Sequence, residues 1–345
     1  MSKPLVSILI PAFNAQEWIV DTLRSAIRQT WEPKEIIVVD DGSTDETYAI
    51  ARQFESSSVR IFRQANRGAA AARNQAFLLS HGDYIQWLDA DDLLASDKIA
   101  LQLDALAGRC LRTVASCGWG RFMYRPSKAQ FVPTALWCDL SPTEWLLRKL
   151  EQNLYMQTGT WLVSRELTAT AGPWDDRLLG DDDNEYFCRV LLASDGVRFV
   201  PEAKLYYRSF GFGTLGYVGR SDKKLEAHWF SMQLHIRHLR SANDSERVRK
   251  ACVRYLQTWL YYFYGERPDI AEQAQRLAAD MQGQLDTPKL SWKYSWIKVL
   301  FGWRYVRPFQ VLARKTRWSL QKFLDKMLAW IESGNSATLP SHYIF

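Results

Sequence analysis

The sequence of 345 residues lacks three patterns that identify common protein classes. No stretch approaches the roughly 20 uninterrupted apolar residues that span a bilayer, so we expect a soluble or peripheral protein. No Gly-x-Gly-x-x-Gly follows the first predicted strand, and no Walker-type loop occurs. These absences argue against dinucleotide-dependent oxidoreductases and P-loop nucleotidases.

The sequence contains few cysteines, and their spacing matches no disulfide or metal-binding motif. The five cysteines are odd in number, scattered, and form no Cys-x-x-Cys pair; they are Cys110, Cys117, Cys138, Cys188 and Cys252. This favours reduced thiols in a cytosolic compartment over a disulfide framework or a structural zinc site. The N-terminal residues carry no signal-peptide pattern, so we expect a cytoplasmic location.

The net charge of +6 is concentrated in one segment, residues 286–331, which holds ten Lys and Arg against two Asp. Tryptophans interleave with these cations, at Trp292, Trp296, Trp303, Trp318 and Trp330. The pattern suits a surface lying on anionic lipid at the inner face of a membrane. It suits equally a helical subdomain that packs its tryptophans on the core. Nucleic-acid binding would rest on this tail alone, and we expect none.

The first hundred residues alternate between short apolar runs and helical periodicity. Strands are predicted at residues 5–10, 36–39, 59–62 and 84–88, with an Ala-rich helix at 68–79. Asn14, with Glu17 three residues later, predicts a capping box at the start of the first helix. This alternation predicts an α/β fold, a parallel sheet with helices on both faces.

In such sheets, ligands bind outside the carboxyl ends of the strands. The segments that follow the four predicted strands are Pro11-Ala12-Phe13, Asp40-Asp41, Arg63 to Gly68, and Asp89-Ala90-Asp91-Asp92. An aromatic ring, cations and a cluster of carboxylates should therefore meet at one edge. Closely spaced carboxylates suit Mg²⁺ or Mn²⁺, which in turn bind a diphosphate. A solvated acidic turn is the alternative for Asp89–Asp92, and a simple chain reversal is the alternative for Asp40 and Asp41.

Two further segments are candidates for the same site. Arg67 and Arg73 flank a run of small residues at the start of a helix, where a phosphate can approach the backbone. The acidic run Gly180 to Glu185 precedes another helix and could supply a base for an acceptor hydroxyl. Alternatively, the arginines lie in solvent and the acids complement the helix dipole.

Taken in order, these segments resemble the motifs of family 2 glycosyltransferases with the GT-A fold. The likeness covers about residues 1–210. Its segments are Val6 to Asn14, Ile37 to Asp45, Asn66-Arg67-Gly68, Ala72-Arg73-Asn74, Leu88 to Asp92, Gly172 to Asp175, and Asp182 to Glu185.

The resemblance implies an inverting, metal-dependent transfer of a sugar from a nucleotide diphosphate, commonly UDP, to an acceptor hydroxyl in polysaccharide or glycoconjugate synthesis. It implies a nucleoside pocket of Pro11, Ala12, Phe13, Asp40 and Asp41, with Arg67, Arg73, Asp89 and Ala90 near the donor. It implies Mn²⁺ or Mg²⁺ at Asp91 with Asp89 and Asp92, and a general base at Asp183 supported by Asp182 and Glu185.

Two departures from the family pattern leave roles open. Asp182-Asp183 stands where the family has Glu-Asp, so the base could be any of residues 181–183. Ser209 and Phe210 stand where many relatives have a His after the Tyr-Arg pair, so any third protein ligand to the metal is also open.

For the domain organisation we predict a GT-A catalytic domain at 1–220 and a helical, basic, Trp-rich extension at 221–345. The catalytic domain would divide into a nucleotide-sugar-binding half, 1–110, and an acceptor-binding half, 111–220. The expected partners are a nucleotide-sugar donor and a glycan or lipid-linked acceptor. Transfer to a polyprenyl phosphate and non-catalytic donor binding or scaffolding are the alternatives. The sequence does not predict the sugar, the linkage or the oligomeric state.

Overall fold

A computed structural model of the protein describes residues 3–209, 221–289, 300 and 303–332. Within the last helix it describes the side chains of 315, 316 and 318–332. Much of the predicted basic tail, at 290–299 and 301–302, lies outside the described residues, as does the predicted domain boundary at 220.

The N-terminal part alternates strands and helices, as predicted. Its elements are β1 (Val6–Ala12), α1 (Ile19–Ile27), β2 (Lys34–Asp40), α2 (Thr47–Arg52), β3 (Val59–Arg63), α3 (Ala69–Leu79), β4 (Tyr84–Trp87), β5 (Leu93–Leu94) and α4 (Lys98–Leu106). The α/β class is therefore confirmed.

The following part mixes longer strands with helices. Its elements are β6 (Thr113–Phe122), β7 (Gln130–Phe131), α5 (Pro142–Gln152), β8 (Val163–Ser164), α6 (Arg165–Ala171), α7 (Asp182–Ala193) and β9 (Gly196–Arg208). Short 3-10 turns lie at Pro126–Lys128 and Thr158–Thr160.

From residue 222 onward the described chain is helical, in agreement with the predicted helical extension. Its elements are α8 (Asp222–Ala242), α9 (Glu246–Phe263), α10 (Pro268–Asp280) and α11 (Trp303–Glu332).

Two sheets organise the α/β part. The first has the order β3-β2-β1-β4-β8, in which the first four strands are parallel and β8 is antiparallel to β4. The second has the order β5-β9-β6-β7, with β6 and β9 parallel. Alternate residues of β1 enter separate cores, Leu9 on one side and Ile8 and Ile10 on the other. The first sheet is thus buried on both faces, and its four parallel strands end at one edge.

The predicted end of β1 at residue 10 was wrong. The strand continues through Pro11 to Ala12. Leu9 O accepts from Leu88 N, so odd-numbered backbone groups face β4, which pairs with β1 only as far as Leu9. The missing N–H of Pro11 therefore breaks no ladder bond.

The predicted capping box does not form. Asn14 adopts a left-handed conformation, with φ 49°, and α1 begins only at Ile19. The Asn14 Oδ1 instead accepts from the backbone N–H of Thr44, at 2.9 Å. This side chain therefore joins the loops that follow β1 and β2.

Gly82 offers a test of how closely β1 and β4 approach. A Cβ at this position would lie 2.5 Å from both Ser7 N and Ser7 Oγ. We expect Gly82→Ala to lower the free energy of unfolding by about 1–3 kcal/mol, because the backbone must shift. Urea denaturation measures the change. The control is His81→Ala, whose side chain is 72% exposed and which should change stability by less than about 0.5 kcal/mol. Equal effects of the two variants would contradict the close packing.

Candidate active site

The predicted acidic segment after β4 lies at the carboxyl edge of the first sheet. Asp89 and Asp91 are partly exposed, whereas Asp92 is fully buried. Burial, reinforced by the charge of Asp89 and opposed by Arg208, raises the pKa of Asp91 to about 6. No hydrogen bond or ion pair from another described residue reaches the Asp91 carboxylate, so its oxygens are available to a ligand.

Arg73 of α3 joins this segment to the acidic run at the start of α7. One guanidinium nitrogen donates to Asp89 Oδ1 at 2.8 Å, and another donates to Asp182 Oδ2 at 2.7 Å. The side chain is 6% exposed and lies over the Trp174 ring at 4.3 Å. Burial lowers the pKa of Arg73, but the charges of Asp182 and Asp89 outweigh it, so the cation is kept. Two predicted site segments from distant parts of the chain are therefore in one ion-pair network.

The Asp181–Asp183 run is divided among three different environments. Asp181 accepts from the Ser231 hydroxyl and from Asn184 Nδ2, both at 2.6 Å. Asp182 is paired with Arg73. Asp183 accepts one hydrogen bond, from the adjacent backbone N–H of Asn184 at 2.8 Å. Among the three, Asp183 is the carboxylate without a side-chain donor.

The protonation equilibrium of Asp183 follows from this placement. Burial raises its pKa to about 7, with the charges of Asp182 and Asp181 acting in the same direction and Arg73 opposing them. A carboxylate with a pKa near neutrality suits general base catalysis. The geometry thus favours Asp183 within the run that the sequence left open.

Glu185 faces away from this cluster, toward α8. Both of its oxygens accept from Arg189 at 2.8 Å, and Oε1 also contacts His238 Nε2 at 3.1 Å. Burial raises the pKa of Glu185, but hydrogen bonds from His238 and Arg189 outweigh this, and its pKa is lowered overall. These contacts favour a structural role in joining α7 to α8.

Asp41 organises the start of α3. Its Oδ1 accepts from Gln64 Nε2 at 2.7 Å and from the backbone N–H of Arg67 at 2.9 Å, and its Oδ2 accepts from the backbone N–H of Gly68 at 2.8 Å. Gly68 has φ +92°, a conformation that glycine adopts at little cost. The Arg67 side chain is exposed. Asp41 therefore fixes the loop that leads to Arg73.

The remaining predicted donor residues line the same edge. Asp40 is buried, and its Oδ2 lies 3.2 Å from both Arg63 Nε and Ser43 N. Asp40 Oδ1 is a buried acceptor without a hydrogen-bond partner in the described structure. Pro11, Ala12 and Ala90 are buried, whereas Phe13 is 50% exposed and can pack on a ligand.

Arg208, the last residue of β9, forms hydrogen bonds with the acidic segment that follows β4. Its backbone N–H donates to Asp92 Oδ1 at 2.9 Å, and its Nε donates to the carbonyl of Asp91 at 2.8 Å. The guanidinium is stacked against the rings of Trp18 and Phe122, at 4.4 and 4.6 Å. Asp92 is thus held within the protein rather than presented to a ligand.

Three aromatic rings that the sequence did not predict form a wall beside the acidic segment. Trp119 contacts Tyr155 and Tyr207, with ring centroids 5.5 and 5.7 Å apart. Burial raises the pKa of Tyr207, and the charges of Asp92, Asp91 and Asp89 raise it further, which places this ring beside the cluster. The alternation of aromatic residues on β6 and β9 was the available signal, but the pairing of these strands was not predicted.

A second missed residue is Asn74, next to Arg73. Its Nδ2 donates to the carbonyl of Trp174, and its Oδ1 accepts from the N–H of Trp174, both at 2.9 Å. Trp174 stacks on Tyr186 of α7 with a centroid distance of 4.0 Å and an interplanar angle of 8°. Asn74 therefore joins α3 to the segment that packs on α7.

The predicted Mn²⁺ or Mg²⁺ site can be tested against these residues. In the described part of the chain, no three His, Cys, Asp or Glu side chains are arranged to hold a metal ion. Asp91 and Asp89 nevertheless form a pair of hard oxygen donors, and Asp91 lacks another partner. One or two carboxylates, completed by substrate phosphates, are a common arrangement for Mg²⁺. The residues present therefore fit an ion that arrives with a diphosphate.

Comparison with known proteins identifies the family that the motifs resemble. The sequence profile of the family described as Glycosyl transferase family 2 matches residues 7–166. This match over residues 7–166 confirms the resemblance to family 2 glycosyltransferases. The fold is likewise confirmed as GT-A with a helical C-terminal region.

Two relatives illustrate the extent of the likeness. The putative teichuronic acid biosynthesis glycosyltransferase TuaG of Bacillus subtilis (strain 168) is 42% identical over 110 residues, covering 31% of this chain and 44% of that protein. The UDP-Glc:alpha-D-GlcNAc-diphosphoundecaprenol beta-1,3-glucosyltransferase WfaP of Escherichia coli is 41% identical over 100 residues, covering 29% and 40%. The chain thus spans less than half the length of these relatives.

A solved structure extends the likeness of the fold. S. aureus TarS 1-349 in complex with UDP-GlcNAc superposes with a TM-score of 0.62 at 17% identity, over 80% of each chain. At this level of identity the similarity is one of fold. Among the helices described here, none combines the length and apolarity needed to cross a bilayer.

Asn74 provides a test of the junction between α3 and the segment that contains Trp174. We expect Asn74→Ala to lower the free energy of unfolding by about 1–3 kcal/mol, because two backbone groups of Trp174 lose their partner. Thermal denaturation measures the loss. The matched control on the same helix is Leu78→Ala, since Leu78 is 77% exposed. If both variants unfold at the same temperature, Asn74 does not hold this junction.

Proposed function

We propose that the protein is an inverting glycosyltransferase that moves a sugar from a nucleotide diphosphate sugar to an acceptor hydroxyl. The observation that carries this proposal is the network in which Arg73 joins Asp89 to Asp182, with Asp183 beside it. This network supports the proposal because it brings the acidic segment after β4 close to Asp183, whose pKa is raised to about 7. The match to family 2 glycosyltransferases supports the same reaction class.

The donor is proposed to be a UDP-sugar. WfaP is named as a UDP-Glc-dependent enzyme, and TarS is crystallised with UDP-GlcNAc, which supports this choice. Asp40 Oδ1, a buried acceptor without a partner, is suited to an N–H or hydroxyl of the nucleoside. The exposed ring of Phe13 would pack against the nucleoside. Arg67 would lie near the phosphates, since its backbone is fixed at the start of α3.

Asp91 and Asp89 would hold the divalent ion. When bound, it supplies positive charge against the negative charge that develops on the departing diphosphate. Asp92 would position this pair through its contact with Arg208. Arg73 limits the repulsion among the surrounding carboxylates by pairing with two of them.

Asp183 would take the proton from the acceptor hydroxyl, whose oxygen attacks the anomeric carbon from the face opposite the leaving nucleotide. The bond to the nucleotide breaks as the new glycosidic bond forms, so the configuration inverts once. Trp119, Tyr155 and Tyr207 would form a wall on which an acceptor sugar stacks. We propose a glycan or a lipid-linked acceptor, used in polysaccharide synthesis at a cytoplasmic location.

Asp183→Asn tests the base. We expect kcat to fall by about 10²–10⁴, because the amide cannot accept the proton, while donor affinity changes little. Steady-state kinetics with a panel of nucleotide sugars and acceptors measures this. The control is Asp176→Asn, an exposed carboxylate on the preceding loop. A protein that only binds the donor or acts as a scaffold would show no turnover for the substitution to remove.

The same residue predicts a pH dependence. A base works only when deprotonated, so kcat/KM should rise as the pH increases to about 7 and then level off. The direction follows from a pKa that is raised, which leaves Asp183 protonated at lower pH. A flat profile between acidic and neutral pH would contradict the assignment of Asp183.

Asp91→Asn tests the proposed ion. We expect Mn²⁺-dependent affinity for the nucleotide sugar to fall at least about tenfold, because a charged oxygen ligand is lost. Calorimetric titration of UDP with and without Mn²⁺ measures the effect. The control is Asp97→Asn, an exposed residue at the start of α4. Unchanged Mn²⁺ dependence in Asp91→Asn would rule out this ligand.

A further inference from the structure

The C-terminal helix α11 is attached to the catalytic part through its polar side. The Arg125 guanidinium donates to Asp325 Oδ1 at 2.8 Å and to Glu332 Oε1 at 2.7 Å. The backbone N–H of Tyr124 donates to Asp325 Oδ2 at 2.9 Å. Arg125 and Asp325 are 15% and 19% exposed, so this ion pair is partly shielded from water. Both acidic residues of α11 are thus used to hold the helix in place.

The apolar side of α11 points the other way. Half-buried residues recur every three or four positions, at Trp318, Lys322, Asp325 and Ala329. A second stripe, which lies roughly 160° around the axis at 100° per residue, is exposed. It consists of Leu320, Phe323, Leu324, Met327, Leu328 and Ile331, at 60%, 65%, 43%, 41%, 39% and 57% exposure.

This orientation is the reverse of the usual one. An amphipathic helix on a soluble protein normally buries its apolar stripe against the core and leaves its charges in water. Contiguous exposed apolar patches on helices mark protein or membrane contacts. The exposed stripe of α11 therefore needs a partner outside the catalytic part.

The charge of α11 indicates which partner fits. Residues 303–332 contain seven Lys and Arg against Asp325 and Glu332. Since both acids are paired with Arg125, the segment carries a surplus of positive charge. Two copies joined through this stripe would bring like charges together, whereas an anionic lipid surface neutralises them.

We propose that the apolar stripe Leu320, Phe323, Leu324, Met327, Leu328 and Ile331 of α11 inserts into the headgroup region of an anionic phospholipid bilayer. The helix lies in the plane of the membrane. The Arg125–Asp325 pair holds the catalytic part on the face of the helix that is turned away from the bilayer. Lys326 lies 3.9 Å from Glu17, four residues beyond Phe13, so the helix is anchored beside the segment that leads from the donor loop. Lipid binding requires no transfer activity, so this inference stands independently of the proposed reaction.

Vesicle sedimentation tests the proposal with the full chain. Wild-type protein should sediment with phosphatidylcholine vesicles that contain phosphatidylglycerol and only weakly with phosphatidylcholine alone. The double variant Leu320→Glu/Met327→Glu should reduce the partition coefficient at least about tenfold. The control Ser319→Glu/Gln321→Glu adds the same charge on the same helix beside the stripe, and it should reduce the coefficient much less.

Three results would overturn the proposal. Wild-type protein that fails to sediment with anionic vesicles shows that no such surface exists. Equal losses in the two double variants show a purely electrostatic contact without insertion. A dimer in light scattering that Leu320→Glu/Met327→Glu converts to a monomer shows that a second copy covers the stripe.

A spectroscopic measurement distinguishes insertion from adsorption without destabilising substitutions. In a background with the exposed cysteines replaced, Cys110→Ser/Cys138→Ser, an environment-sensitive dye is attached at Leu324→Cys or at Ser319→Cys. Anionic vesicles should shift the emission to the blue at position 324, in the stripe, and much less at position 319, which lies about 140° around the helix axis. Equal shifts at both positions would contradict the proposed orientation.

Discussion

The arrangement of the site depends on one buried guanidinium. Arg73 pairs with Asp89 from the end of β4 and with Asp182 from the start of α7, and the Trp174 ring covers it. Carboxylates crowded at low exposure would otherwise repel one another and take up protons. Because each pairing occupies one carboxylate, Asp91 and Asp183 keep oxygens that can act on a ligand, and burial raises the pKa of both.

Helix α3 transmits this constraint to the rest of the sheet edge. Its first turn is fixed by Asp41, its middle carries Arg73, and Asn74 binds the backbone of Trp174. The loop after β2, the acidic segment after β4 and the segment that contains Trp174 are therefore all attached to α3.

Local sequence patterns predicted much of the fold but little of its long-range pairing. Apolar runs indicated the four parallel strands, and the rule for ligand binding at strand ends indicated the acidic edge. The capping box at Asn14 was wrong because a tertiary contact with Thr44 outweighed the local motif. The pairings of Arg73 with Asp182 and of Asn74 with Trp174 join positions about a hundred residues apart. No periodicity or spacing encodes such contacts.

The same limit explains what was left open about the tail. Amphipathic periodicity identifies the two faces of a helix. Which face packs against the protein depends on the residues of the surface that receives it. The Arg125 guanidinium forms an ion pair with Asp325, so the polar face of α11 packs against the catalytic part. A buried ion pair of this kind contributes more to orientation than to net stability, because desolvation offsets much of its attraction. The apolar stripe of α11 is exposed because the Arg125–Asp325 contact places the polar face against the protein, and a rigid helix cannot pack both faces against one neighbour.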